Sequence, residues 1–295
     1  MNFPSLDRDT ITSFKKSIDG AFREFASNWG EWFTELLSPI LWLLIHFEEL
    51  LIATPWYIFL SIISLLLWKA TQNWKLILGF LISFILIGLV GMWEDTMQTL
   101  AIVLVSTLVC IVIGIPVGIL MAKNNLAHKI ILPILDLMQT IPQFVYLIPV
   151  VMLFGLGKIP GLIAISVFAI PPVIRFTNIG LREVDKNLKE TAQALGLKPL
   201  HILRLIELSL ARNVILGGVN QTVMMALAMV VIASMIGVRG LGAQVMQAIG
   251  NGYLGLGVIS GLSIVALAII MDLSLIHISE PTRRYAISYA VFCLK

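Results

Sequence analysis

Glu190, Thr191 and Ala192, followed after three residues by Gly196, form the stretch whose residue types and spacing suggest a specific task. Glu190 offers a charged hydrogen-bonding partner. Ala192, Ala194 and Gly196 are small enough to let another surface come close, and glycine permits a sharp reversal of the chain. Ile206 and Leu208 follow, with nine residues separating Gly196 from Ile206. This is the chemistry of docking. Taken alone the pattern suits any short surface helix, so its position in the chain must decide. Bond-making chemistry is poorly provided for. His46, His128, His201 and His277 are widely separated, and two cysteines, Cys110 and Cys293, cannot form a framework. No nucleophile has a base nearby, and no cluster has metal-ligand spacing. The sequence therefore predicts no catalytic residue, no metal and no cofactor.

The elements that must position this stretch follow from composition. The 295 residues are 58% hydrophobic and 13% charged, with a mean hydropathy of +0.96. Soluble domains are closer to a quarter charged, so the chain belongs in a bilayer. A net charge of +3 is too small to suggest a nucleic-acid partner. Seven runs are apolar enough to span: 52–68, 76–93, 98–122, 131–157, 160–180, 214–238 and 254–271. The fourth is interrupted by Pro142 and Pro149. Alternate connections are basic: Lys69 with Lys75, then Lys123, His128 and Lys129, then Arg182, Lys186, Lys189, Lys198, Arg204 and Arg212. The positive-inside rule places these on the cytoplasmic side, with the N-terminus external. The docking stretch then lies in the largest cytoplasmic loop, 181–212. Gly196 closes a short helix there, and Pro199 suits the first turn of a second one.

The chain divides into an N-terminal segment (1–51), two accessory spans (52–95), a core (96–272) and a tail (273–295). In the first, Phe14, Ile18, Phe22, Phe25, Trp29 and Trp32 recur every three or four residues, giving one apolar stripe. This reads as helix lying on the lipid surface. The competing reading is an eighth span at 36–53, which would turn the N-terminus inward; Glu48 and Glu49 count against it. The tail, LSLIHISEPTRRYAISYAVFCLK, reads as translated sequencing-adapter sequence and is assigned no function.

The loop resembles the EAA loop of ABC-importer permeases: E-A-A, three residues, G, nine residues, I-x-L-P. Glu190, Thr191, Ala192, Gly196, Ile206 and Leu208 fit that spacing, while Thr191 replaces an alanine and Ser209 stands where proline is usual. Residues 138–149 (MQTIPQFVYLIP), 170–175 (IPPVIR), 220–224 (NQTVM) and 237–242 (GVRGLG) are similar to blocks of glycine betaine/proline betaine permeases, with Arg239 in place of a smaller residue. The resemblance implies an all-α integral membrane protein of about seven transmembrane helices with a five-helix type I importer core. It implies a bacterial inner-membrane location, a cytoplasmic ATPase docked at Glu190–Gly196, an external substrate-binding protein, and a second permease copy completing the pathway. It further implies a compatible solute as cargo; methionine, choline or carnitine are alternatives. An ATP-independent osmosensitive channel is a different class, and such a channel has no use for a docking loop.

The residues also suggest a pathway. Pro142, Pro149, Pro171 and Pro172 mark expected helix breaks, which membrane proteins tolerate where backbone lines a cavity or packs on protein. Gln139, Thr140, Gln143 and Tyr146 lie near them, with Gln221 and Thr222 further on. Each could line a path or hydrogen-bond one helix to another. Arg175 and Asp136 read as residues snorkelling to the interface. The spans hold no aromatic cage for a quaternary ammonium, so selection falls to the binding protein.

Overall fold

A computed structural model describes residues 7–71 and 74–279. Every regular element among them is helical: α1 (Arg8–Ala53), α2 (Trp56–Thr71), α3 (Trp74–Leu89), α4 (Trp93–Lys123), α5 (Asn125–Thr140), α6 (Gln143–Phe154), α7 (Lys158–Arg182), α8 (Lys186–Ala194), the single turn α9 (Pro199–His201), α10 (Leu208–Ala233), α11 (Leu241–Asn251) and α12 (Leu254–Ser279). A π-helical stretch, Ile202–Glu207, joins α9 to α10, so residues Pro199–Ile236 form one helical run.

Among the described residues five helices are long and apolar enough to cross a membrane, and the bent pair α5–α6, taken as one span, makes a sixth. The expected spans over 98–122, 160–180, 214–238 and 254–271 lie within α4, α7, α10 with its short 3-10 extension and loop, and α12. The two accessory spans are apolar helices of 16 residues, about 24 Å long and short of the ~30 Å hydrocarbon core. The fourth span is broken. Ile141 is extended, as a residue before proline prefers, and Pro142 supplies no N–H to continue α5, so the two halves meet at 100°. The other expected breaks require correction. Pro149 sits inside α6, and Pro171 and Pro172 sit inside α7 without interrupting it. The last two are buried, and Gly218 of α10 lies against the Pro172 carbonyl. Packing on both sides holds the helix across its missing hydrogen bonds.

The core is the mutual packing of α4, α7 and α10. Small residues bring these helices close. A Cβ placed on Gly118 would meet Thr177 Cβ at 2.6 Å and the Ile174 carbonyl at 2.8 Å. One placed on Gly218 would meet Phe176 Cβ at 2.6 Å. Apolar surfaces gain little from leaving lipid, so such close van der Waals packing is what holds membrane helices together. At one end, α11 is fastened to the start of α4. The Leu241 N–H donates to Thr99 Oγ1 at 2.9 Å, and Gln244 Nε2 donates to Asp95 Oδ2 at 2.9 Å.

The N-terminal segment departs from the surface-helix expectation. α1 is one continuous helix, and its second half packs on α4, α6 and α7. Leu44 is fully buried, and Glu48 is buried too. The carboxylate that argued against burial is neutralised by Lys158 Nζ at 2.8 Å. The tail beyond residue 279 lies outside the described residues.

Gly118→Leu is expected to force α4 from α7, an overpacking cost of about 1–3 kcal/mol. Thermal unfolding in detergent should show a melting temperature lowered by several degrees. Gly79→Leu, at a site with open space around it, should leave it unchanged.

Candidate functional site

The loop after α7 is a short helix pinned at both ends. Asp185 begins α8 by accepting from the Asn187 N–H at 2.9 Å, a standard N-cap. Gly196 ends it with φ +78°. The Gly196 N–H reaches the Gln193 carbonyl at 2.9 Å and the Leu197 N–H reaches the Ala192 carbonyl at 3.1 Å. That paired closure is a Schellman motif, and the left-handed residue it requires is why glycine sits there. Pro199 opens the next helix at its first turn. Glu190 and Thr191 are exposed, while Ala192 is buried against the rest of the chain. A small, stiff helix thus presents Glu190 outward. Ile206 and Leu208 lie further on, half-buried at the end of the π stretch and the start of α10. The helix runs on through Ser209.

Beneath this helix lies a cluster of charges that sequence reasoning did not assemble. Glu207 is 2% exposed. Its carboxylate accepts from Lys123 Nζ at 2.8 and 2.5 Å and pairs with Lys189 Nζ at 3.3 Å. Lys123 ends α4, Lys189 belongs to α8, and Glu207 closes the π stretch leading into α10. Lys189 also donates to the Leu181 carbonyl of α7 at 3.0 Å. Next to it, Arg182 donates to Asn178 Oδ1 at 2.9 Å, to the Met121 carbonyl at 2.8 Å and to Asn125 Oδ1 at 3.0 Å. α8 is therefore tied to the end of α7 and, through Glu207, to the end of α4 and the start of α10, while Arg182 ties the ends of α4, α5 and α7 beside it. A carboxylate withdrawn from water is tolerable only when paired and hydrogen-bonded, and two ammonium groups meet that need. The one signal in the sequence was an acidic residue between the apolar Ile206 and Leu208.

The expected pathway residues do not gather into one site. Gln139 and Thr140 are exposed at the end of α5, and the Thr140 hydroxyl donates to the Leu137 carbonyl at 3.0 Å. Tyr146 of α6 donates to the Met138 carbonyl across the break and meets Phe168 edge-on at 6.4 Å. It joins α6 to α5 and α7. Gln143 is half-buried. On α10, Gln221 is exposed and Thr222 is fully buried, its hydroxyl without a hydrogen-bond partner. Among the described residues no hydrogen bond joins the α10 pair to the α5 and α6 residues. Arg175 and Asp136, expected to reach separately for the interface, are paired with one another. Asn220 donates to Asp272, joining α10 to α12.

Removing the buried carboxylate should loosen α8 first. Glu207→Gln keeps the shape and loses the ion pairs. Amide hydrogen exchange across 186–194 is expected to accelerate at least tenfold, with exchange inside α7 unchanged. Protection of α8 equal to the parent chain would contradict the role given to Glu207.

Comparison with known proteins agrees with this architecture. Residues 114–283 match the model of the binding-protein-dependent transport system inner membrane component. The chain is 45% identical over 234 residues to the glycine betaine/proline betaine transport system permease protein ProW of Escherichia coli, covering 79% of this chain and 66% of that protein. It is 44% identical over 220 residues to the glycine betaine/carnitine transport permease protein GbuB of Listeria monocytogenes, covering 74% of this chain and 78% of the other. Among solved structures, an inward-facing MetNI methionine ABC transporter chain aligns with a TM-score of 0.57 and 21% identity, covering 64% of this chain and 94% of that one. That likeness concerns the fold. The chain belongs to the family of binding-protein-dependent transport system inner membrane components.

Proposed function

We propose that this chain is the permease subunit of an ATP-driven importer for glycine betaine, proline betaine or a closely related solute. The observation that carries the reading is the stiff, glycine-closed α8, tied by Lys189 and Glu207 to the ends of the core helices. Lipid offers no place to bind and hydrolyse ATP, so the work must reach the spans through an element outside the bilayer. α8 has the form of such an element: it offers Glu190 to an ATPase and transmits displacement through its charged underside. The nature of the solute rests on the relatives that are identical at nearly half the aligned positions.

In this reading two copies form the pathway, an external binding protein delivers the solute, and approach of the two ATPase subunits draws the α8 helices together. The basic connections face the cytoplasm, so α4 and α7 start on the outer side. α1 then ends outside, near Lys158. With its apolar second half crossing the bilayer, the N-terminus lies on the cytoplasmic side, in place of the external position expected from a surface helix. The exposed stripe of Phe14, Ile18, Phe25, Trp29 and Trp32 is suited to contact lipid along the first half of α1. A permease for choline or carnitine is the second reading.

The test is uptake of labelled glycine betaine after salt upshift, in a host lacking its own osmolyte importers. The host would express this chain with its neighbouring ATPase and binding-protein genes. Glu190→Ala combined with Gly196→Trp removes the outward carboxylate and strains the positive-φ turn. Uptake is expected to fall at least tenfold at unchanged membrane abundance. Wild-type rates in the double variant would sink the coupling role. An active ATPase with transport of choline or carnitine alone would establish the second reading.

A further inference from the structure

Asp136 and Arg175 are placed unusually for charges in a membrane protein. Asp136 lies 11 residues past the start of α5 and Arg175 lies seven before the end of α7, about 16 and 10 Å along their axes. Both are thus set back from the helix ends that Arg182 ties together. They form an ion pair, yet 57% of the Asp136 side chain and 29% of the Arg175 side chain stay exposed. Arg175 Nε is buried without a hydrogen-bond partner, so the guanidinium has a donor to spare.

The surface of α5 shows which way the pair faces. Ile130, Ile134 and Leu137 are exposed along one side. Asp136 shares a different side with Gln139 and Thr140, at i+3 and i+4, and all three are exposed. A helix with one apolar and one polar exposed strip can put only the first against lipid. Charges set back from the ends of membrane-embedded helices face a bundle interior or a water-filled path.

Resting on the importer reading above, we propose that Asp136 and Arg175 form an exchangeable ion pair lining the translocation pathway, which opens to take a zwitterionic solute. The carboxylate of the solute replaces Asp136 on the guanidinium, and its cationic end takes the freed Asp136. One neutral arrangement of charges replaces another. Neither protein charge is left alone in a low-dielectric path, which is the costly condition. Closed, the pair is a neutral plug; open, it is a weak transit site that needs no aromatic cage. A cation or an anion alone would leave one partner uncompensated, so the pair favours solutes that carry both charges.

The test uses the whole complex, with ATPase and binding protein, in proteoliposomes with labelled glycine betaine. D136N, R175Q and the double variant are each expected to lower uptake at least tenfold, while ATP hydrolysis stimulated by loaded binding protein persists. The double variant separates roles. It keeps a neutral hydrogen-bonding pair and leaves no orphan charge, so a purely structural ion pair predicts recovery to wild-type uptake. That recovery would overturn the proposal. A second measurement uses D136C and a quaternary ammonium methanethiosulfonate, with modification of the introduced thiol read by mass spectrometry. Reaction that slows when glycine betaine is present is expected; no reaction in any nucleotide state would overturn it. A wild-type complex that carries no zwitterion overturns both this proposal and the betaine reading, and so differs from a loss confined to the variants.

Discussion

Carboxylates held away from water set the terms for this fold. Glu207 sits beneath the loop helix with almost no exposure, and its position is tolerable because Lys123 and Lys189 approach it from two different elements. Each charge-assisted hydrogen bond of this kind contributes about 1.5–3 kcal/mol. The consequence is mechanical. α8 cannot shift far without drawing on the end of α4 or exposing an unpaired charge, and Glu207 itself leads directly into α10. The same region is stitched by Arg182, which holds the ends of α4, α5 and α7 together through the Met121 carbonyl, Asn125 and Asn178. Lys189 adds a tie to the Leu181 carbonyl. A loop that would otherwise be a surface ornament becomes part of the frame.

Charges are paired or hydrogen-bonded across elements at three further places. Glu48 enters the interior of α1's packing face because Lys158 meets it. Asp136 and Arg175 neutralise one another between α5 and α7. Asp272 receives the amide of Asn220 across α10 and α12. Between these polar ties the helices are held by close contact, with Gly118 and Gly218 allowing α4 and α10 to approach α7. Packing fixes how near the three central helices stand, and paired charges fix how their ends are aligned. The importer proposed above needs both: a core stiff enough to move as a body, and linkages at its ends through which movement can be imposed.

Much of this was legible in the sequence. Apolar runs located the central helices because the bilayer demands long uninterrupted stretches. The loop helix was legible because its glycine stop and proline start have local causes that need no tertiary information; Gly196 and Pro199 stand where that reasoning put them. What failed was whatever depended on a distant partner. The two carboxylates near the end of α1 argued for the membrane surface only while Lys158, 110 residues away from Glu48, stayed out of view. Pro171 and Pro172 looked like breaks because local rules count a missing hydrogen bond and cannot count the helices packed around it. Glu207 was passed over for the same reason: the residues that make it meaningful are 84 and 18 positions away. Tyr146, for which a path-lining and a helix-joining role both stood open, gives its hydroxyl to the Met138 carbonyl.

In the proposed importer, α8 and the end of α4 move as one body when the ATPase binds ATP. Electron–electron double resonance can test it in complexes containing one labelled copy, with spin labels at Gln193 on α8 and Leu120 near the end of α4, both exposed. A rigid linkage predicts the same distance, equally narrow, in nucleotide-free and ATP-trapped states. A distance that shifts or broadens between the two states would mean that α8 slides over the core helices, and the charged underside would then not be the element that carries the motion.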